Sequence, residues 1–166
     1  MSIVAVDTIQ TLAGVEQARL VQVVRTETRV DATGTTLIPW DNTPPLITDG
    51  DLYMTRTITP TNTNNTLKID VSASMMGTGA SNSGLTLFRD SDACIAGNYA
   101  QCSAYEVVRM SFTHYITGSL GTSEITFTVR GGGESGVGTF TFNGYAGSSK
   151  YAEVETATIT ISEIRV

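Results

Sequence analysis

Apolar and polar residues alternate along much of this chain. In segment 67–75 every second residue is apolar, and segment 125–130 alternates in the same way. Because successive side chains of a β-strand point to opposite faces, this period of two predicts half-buried antiparallel strands. The spacing of such segments is typical of an all-β sandwich or barrel. We predict eight to ten strands, at about 19–30, 35–39, 52–59, 66–76, 84–89, 93–100, 105–117, 123–130, 137–143 and 154–166.

The last eleven residues, 156–166, alternate almost to the final position, which predicts that the chain ends within a strand. The apolar residues of this segment change face along it. Ile159 and Ile161 fall on one side of the strand, whereas Ile164 and Val166 fall on the other. We therefore expect a β-bulge near Ser162 that returns the last apolar residues to the inward face.

Glycine, proline and asparagine mark the connections between the predicted strands, as at 42–45, 48–50, 60–65 and 143–144. None of these connections has room for a crossover helix, which excludes a parallel α/β fold. The segment Gly131–Gly136 matches the glycine pattern of dinucleotide-binding loops. A strand-like stretch follows it where that motif requires a helix, so we interpret it as a hairpin loop.

Composition narrows the class of protein and its partners. The 166 residues fit one domain at 19–166 with an N-terminal arm at 1–18. With 10 basic and 16 acidic residues the net charge is −6, which argues against nucleic acid as a partner. The segment Met1–Asp7 has no basic run and only a short apolar one. We therefore expect neither a signal peptide nor a membrane insertion, and assembly in a cytoplasm.

Residues able to carry chemistry are few. His114 is the only histidine and shares a strand face with apolar residues, and no nucleophile motif accompanies it. We interpret it as a core or interface residue and expect no enzyme activity, no cofactor and no metal. The aspartate pairs at 49–51 and 90–92 have too few oxygen ligands for Ca²⁺ and are interpreted as turn residues. Cys94 and Cys102 are either bridged across a hairpin or two free thiols.

Aromatic and amide side chains in loops and near strand ends are the most suggestive group. Aromatic side chains beside Asn, Asp and Ser are typical of carbohydrate-facing and protein-facing surfaces. Tryptophan and tyrosine also seal the ends of β-sandwiches, so packing is the alternative, above all for the tryptophan. The candidate surface or receptor-binding residues are Trp40, Asp41, Asn42, Tyr99, Tyr145 and Tyr151.

Several segments together resemble a β-domain common in bacteriophage tail-fibre and related virion proteins. They are Ile38-Pro39-Trp40-Asp41, Ile58-Thr59-Pro60-Thr61, Leu87-Phe88-Arg89-Asp90-Ser91, Thr126-Phe127-Thr128-Val129-Arg130 and the closing Ile159-Thr160-Ile161-Ser162-Glu163-Ile164. The resemblance covers about residues 20–166. It implies an antiparallel jelly-roll-like sandwich, a homotrimer and a place on the outside of a virion, and it carries no catalytic residues. The chain departs from the pattern at Asn42, where a second Asp is usual, and at Pro44-Pro45, where Ile-Pro is usual.

The resemblance implies a non-enzymatic virion structural protein, a small tail-fibre tip or knob that attaches to a host surface glycan or protein. The alternatives are a decoration protein of a capsid or tail lattice, and a lectin-like module or depolymerase. The N-terminal arm alternates apolar residues in a way that suits strand addition to a neighbouring subunit. The candidate virion-docking residues are Ile3, Val4, Val6, Ile9 and Leu12.

Overall fold

The computed structural model describes residues 18–134 and 138–165. The docking residues predicted in the N-terminal arm lie outside this part of the chain, and that prediction stays open. The described residues form ten strands and one 3-10 turn at Tyr151–Glu153. The strands are β1 (Arg19–Thr28), β2 (Ala32–Gly34), β3 (Asp51–Ile58), β4 (Thr66–Gly77), β5 (Ser81–Arg89), β6 (Ala96–Cys102), β7 (Val107–Thr117), β8 (Ile125–Gly133), β9 (Phe140–Phe142) and β10 (Ala157–Arg165).

The eight long strands pair in a nested order. The first pairs with the last, β1 with β10, and the pairs β3 with β8, β4 with β7 and β5 with β6 follow inward, all antiparallel. Further pairings join β10 to β4 and β5 to β8. The result is one sheet containing β1-β10-β4-β7, extended by the short strands β9 and β2, and a second sheet β3-β8-β5-β6. A long hairpin folded into two sheets in this order is a jelly roll, which confirms the predicted fold class.

The core lies between the two sheets and follows the alternation of the sequence. On β4 the residues at 67, 69, 71, 73 and 75 are buried, and on β8 those at 125, 127 and 129 are buried. Each fully buried aliphatic or aromatic side chain of this kind stabilises the fold by about 1.5–3 kcal/mol. Within the described ranges, no helix is both long and apolar enough to span a membrane.

The strand predicted at 35–39 is wrong. The chain forms the short strand β2 just before it, and residues 35–50 then cross the outer face of the second sheet. Several hydrogen bonds hold this crossing segment there, two of them near its start. The backbone N–H of Thr36 donates to Oδ2 of Asp51 at 2.9 Å, and the N–H of Ile38 donates to the carbonyl oxygen of Gly133 at 3.0 Å. Ile38 is only 7% exposed, because it packs against the outer face of the sheet instead of joining it.

The hairpin loop predicted at Gly131–Gly136 is wrong for its first three residues, because Gly131–Gly133 are the last residues of β8. These glycines are required by close approach. A β-carbon on Gly132 would lie 2.5 Å from the carbonyl oxygen of Thr36, and one on Gly133 would overlap the carbonyl oxygen of Asn82. Gly132 therefore lets the crossing segment lie directly on the sheet, and Gly133 lets the backbone of β5 approach β8 closely.

The bulge predicted near Ser162 is wrong as well. Strand β10 pairs with β4 in unbroken register from Thr158 to Ile164, and the irregularity lies on the other neighbour, between Leu20 and Gln22 of β1. Glu163 takes the inward position beyond Ile161 and is 0% exposed. Its carboxylate accepts hydrogen bonds from donors on β1 and on the loop after β3, which makes an inward glutamate acceptable there.

Candidate functional site: an aromatic cleft on the outer face of the second sheet

The floor of the cleft is the outer face of β5 and β6. Leu85 and Leu87 of β5 point into the core, so Gly84 and Thr86 point outward. Gly84 lies opposite Tyr99 of β6, and Thr86 lies opposite Gly97. Each of these cross-strand pairs thus includes one glycine. The floor is consequently low, and the ring of Tyr99 stands beside open space.

The wall of the cleft is the crossing segment, which presents Trp40. Its far end is tied down where the N–H of Cys94 donates to the carbonyl oxygen of Pro45 at 2.8 Å. The rings of Trp40 and Tyr99 meet edge to face, with centroids 4.7 Å apart and planes at 79°. This geometry is a favourable one for aromatic pairs. Nevertheless Trp40 is 51% exposed and Tyr99 65% exposed, so the pair offers large ring surfaces to solvent.

Polar groups surround the aromatic pair. Glu134 accepts a hydrogen bond at Oε1 from the side-chain amide of Asn82, at 3.1 Å. Asn98 positions Tyr99, because its Oδ1 accepts the N–H of Tyr99 at 2.8 Å while its Nδ2 donates to the carbonyl oxygen of Ser111 on β7. Asn42 also lines the cleft. The site therefore combines an apolar wall with several fixed donors and acceptors.

The carboxylate of Asp41 forms the turn that follows Trp40. Its Oδ1 accepts from the hydroxyl of Thr43 and from the backbone N–H of Thr43, the latter at 2.8 Å. These two hydrogen bonds lower the pKa of the exposed Asp41 carboxyl. Asp41 is thus a negatively charged acceptor at the rim of the cleft across the neutral pH range.

The cleft has a volume of about 490 Å³, and a smaller one of about 440 Å³ lies beside it. Ile38, Pro39, Trp40 and Glu134 line both, and Leu37 and Asp49 complete the smaller one. The two depressions therefore adjoin along these four residues, and we call the exposed Trp40 at this boundary the Trp40 ridge. Both volumes fall in the range of about 300–1,000 Å³ that is usual for small-molecule sites.

The structure brings four of the six candidate surface residues together, namely Trp40, Asp41, Asn42 and Tyr99. The other two lie elsewhere. Tyr145 and Tyr151 line a separate cleft of about 760 Å³ together with Lys150, whose ammonium group lies 5.5 Å from the centroid of the Tyr145 ring. Tyr105 approaches this second cleft, with its ring centroid 6.3 Å from that of Tyr145.

The sequence did not indicate Asn82, Asn98 or Glu134 as surface-binding residues; Glu134 stood out only as a carboxylate that the depolymerase alternative could use. They lie in different segments, and only the pairing of β5 with β6 and with β8 brings them to one place. One signal was present in the sequence. Gly84 and Gly97 interrupt strand-like segments, and glycine within a strand often marks a place where another group approaches closely.

The histidine and the turn aspartates contact neighbouring residues of the fold. His114 is half-buried on β7 among apolar neighbours, and burial lowers its pKa. Asp90 accepts from the N–H of Thr126 at 2.9 Å, and Asp49 accepts from the N–H of Leu46 at 2.7 Å. In the part of the chain that the structure describes, no three His, Cys, Asp or Glu side chains are grouped to hold a metal ion.

The two cysteines are free thiols, which decides between the alternatives left open by the sequence. Cys94 is half-buried and lines the aromatic cleft, whereas Cys102 is buried at the end of β6. Burial raises the pKa of both thiols, although hydrogen bonds partly oppose the shift. Cys94 therefore places an unbridged sulfur in the cleft.

No family model matches the sequence, and no curated protein matches it. Among solved structures, the chain is similar to one of infectious bursal disease virus, Gt strain, at 13% identity and a TM-score of 0.46, over 100% of this chain and 42% of the viral one. It is similar to dimeric latent PorU from Porphyromonas gingivalis at 11% identity and a TM-score of 0.43, over 95% of this chain and 14% of PorU. It is also similar to the C-terminal domain of EclA, a sugar-binding protein, at 17% identity and a TM-score of 0.35, over 84% of this chain and 88% of that domain. The chain thus spans less than half the length of the viral and PorU chains, and similarities this distant assign neither a family nor a function.

Proposed function

We propose that this protein is a non-enzymatic attachment module on a bacteriophage virion, a tail-fibre tip or knob that binds a host surface glycan through the Trp40–Tyr99 cleft. The place on a virion is supported by the motif resemblance over residues 20–166. The choice of binding surface is supported by the cleft itself. In this proposal the cleft binds the glycan and does not cleave it.

The exposed aromatic pair is the observation that carries the proposal. Sugar rings have an apolar C–H face that packs on an aromatic ring, and hydroxyl groups at their edges that need donors and acceptors. The cleft supplies both, with the rings of Trp40 and Tyr99 beside the polar groups of Asn42, Asn82 and Glu134. Tryptophan and tyrosine are also the residues that most often dominate binding energy when they are exposed in a free protein.

Attachment by such a module depends on multivalency. A shallow cleft on one subunit binds weakly, because only part of a sugar is buried in it. Three subunits held in a homotrimer would engage one surface together and gain avidity through effective concentration. The homotrimer follows from the motif resemblance and is part of the proposal.

The test uses the purified full chain and the host surface polysaccharides. We expect the wild-type protein to be retained on immobilised polysaccharide and to release no reducing ends from it. Trp40→Ala should lose retention, whereas Tyr115→Ala, which removes a 55% exposed aromatic ring on the outer face of the other sheet, should keep it. Release of reducing ends would instead identify a depolymerase, and equal retention of both variants would overturn the cleft as the binding site.

A decoration protein is the second candidate, and one observation favours it. Strand β1 is an edge of its sheet, pairing only with β10 among the described strands, and it follows directly on the arm. Its apolar residues Leu20, Val21 and Val23 are exposed. An exposed edge of this kind can accept a strand from a neighbouring virion protein. The arm at 1–18, which precedes this edge in the sequence, is the segment predicted to dock by strand addition. If this end of the protein docks to the particle, deletion of residues 1–18 should reduce incorporation into particles. Undiminished incorporation would contradict docking through this end.

A further inference from the structure

Carboxylates border both depressions beside Trp40. Asp41 and Glu134 line the larger one, and Asp49 and Glu134 line the smaller one. Glu134 is held in place, because Asn82 binds it twice. The Asn82 amide donates to its Oε1 at 3.1 Å, and the N–H of Glu134 donates to the carbonyl oxygen of Asn82 at 3.3 Å. Negative charge is therefore held in place at a residue that borders both depressions.

Positive charge does not offset these carboxylates at the cleft surface. All ten lysine and arginine residues fall within the described ranges, and none of them lines either depression. The guanidinium group of Arg130 is nearby, but it is directed to the backbone of the crossing segment. Its Nε donates to the carbonyl oxygen of Asp49 at 3.0 Å, and its Nη2 donates to that of Gly50 at 2.9 Å.

From this geometry we infer that the ligand is an uncharged oligosaccharide that spans the Trp40 ridge, with at least one sugar unit in each depression. The inference rests on the proposed function and specifies its ligand class. Carboxylates accept hydrogen bonds from sugar hydroxyl groups, and they repel the carboxylate, sulfate or phosphate groups of acidic glycans. A binding site often gains specificity by placing charges that repel ligands of the same charge.

Two depressions on one ridge also predict a dependence on chain length. A single sugar unit fills one side of Trp40, whereas a longer neutral chain contacts both sides of the indole ring. We expect the affinity to rise by about tenfold or more between a monosaccharide and the matching trisaccharide, and to change little with further units. A site confined to one depression would show no such rise.

The experiment measures binding of the full chain to a panel of neutral glycans and of uronic-acid, sulfated and phosphorylated glycans, at low and high salt. Trp40→Ala is tested in parallel. Binding of neutral glycans that is lost in Trp40→Ala and insensitive to salt supports the inference. Trp40-dependent binding of acidic glycans alone overturns the inference but leaves the proposed function intact. The absence of any Trp40-dependent glycan binding overturns both.

Two further readouts locate the ligand. Glu134→Gln removes one charge but keeps a side-chain oxygen, so we expect the ratio of neutral-glycan to acidic-glycan affinity to fall relative to the wild type. Cys94 lines the larger depression, so a bound trisaccharide should slow its alkylation, while the alkylation of Cys102 stays unchanged. Unaltered alkylation of Cys94 at saturating trisaccharide would contradict this placement.

Discussion

Glu163 and Thr61 are 102 residues apart in the chain and are joined by two hydrogen bonds of 2.8 Å, from the backbone N–H and the hydroxyl of Thr61 to Oε1 of Glu163. Asn65 and Gln22 add side-chain donors at 2.6 Å each. The cluster fastens the closing strand β10 to β1 and to the loop after β3. Two segments of the motif resemblance, the one at 58–61 and the one at 159–164, therefore meet at a carboxylate that joins them.

Replacing Glu163 should destabilise the fold strongly. Glu163→Ala removes the charged acceptor that Thr61, Asn65 and Gln22 share and leaves the buried amide of Asn65 only its 3.3 Å hydrogen bond to the Thr61 hydroxyl, so we expect the free energy of unfolding to fall by about 3 kcal/mol. Urea unfolding followed by tryptophan fluorescence measures the change. Glu124→Ala, at an exposed position just before β8, is the matched control and should change the stability by less than about 0.5 kcal/mol. Equal stability of the two variants would refute the structural role of the cluster.

The same carboxylate predicts the response to acid. Burial alone would raise the pKa of Glu163, but the hydrogen bonds from Asn65, Gln22 and Thr61 together outweigh it and lower the pKa from the ordinary value of 4.5. A lowered native pKa means that the unfolded state binds more protons in this range. The contribution of Glu163 is therefore complete above about pH 4.5 and is lost as the pH falls through the lower native value.

The measurement compares wild type with Glu163→Gln across this pH range. The difference in unfolding free energy between the two proteins should be largest near neutral pH and should shrink below about pH 4.5. The subtraction removes the contributions of other carboxylates, which both proteins share. A difference that stays constant down to strongly acidic pH would contradict the lowered pKa.

Replacing a glycine at the end of β8 by alanine should cost more stability than the same replacement in the cleft floor. A β-carbon on Gly133 overlaps the backbone of Asn82, which has no free rotation to relieve it, so Gly133→Ala should cost about 2 kcal/mol of stability. A β-carbon on Gly84 meets Ile38 Cδ1 at an ordinary 3.6 Å. Gly84→Ala should therefore stay within about 1 kcal/mol of wild type in thermal or urea unfolding. The reverse order of the two variants would show that the sheet and the crossing segment are packed differently.

The free thiols are tested by mass spectrometry. Alkylation of the unfolded protein without reductant should modify both Cys94 and Cys102, and prior reduction should change nothing. In the native protein both thiols should react slowly, since burial raises their pKa and lowers the thiolate fraction. A mass lower by two hydrogen atoms before reduction would reveal a disulfide bridge.

The sequence predicted the fold where local pattern decides it. The alternation at 67–75 and 125–130 places the core correctly, because the period of a strand is a local property. The pattern failed at Glu163, whose inward position depends on donors at 22, 61 and 65, far away in the chain. It failed again at Gly131–Gly133, because the close approaches of Thr36 to Gly132 and of Asn82 to Gly133 are tertiary contacts.

At the candidate site, too, the sequence predicted what local pattern decides and not what tertiary contacts decide. Trp40, Asp41, Asn42 and Tyr99 were singled out because of their residue types and their loop or strand-end surroundings, and the structure places all four at one cleft. Asn82 and Glu134 carry no such local signal. Their hydrogen bond joins the start of β5 to the residue that follows β8, and it exists because of the register between those strands.

The central claim, that the Trp40–Tyr99 cleft binds the host surface, is tested most directly by the affinity of Trp40→Ala for purified host polysaccharide. Isothermal titration compares it with wild type and with Tyr151→Ala, which removes an 88% exposed ring from the other cleft. We predict that Trp40→Ala lowers the affinity about 30-fold, about 2 kcal/mol, and that Tyr151→Ala leaves it unchanged. Wild-type affinity in Trp40→Ala, with an unaltered unfolding curve, would contradict the account.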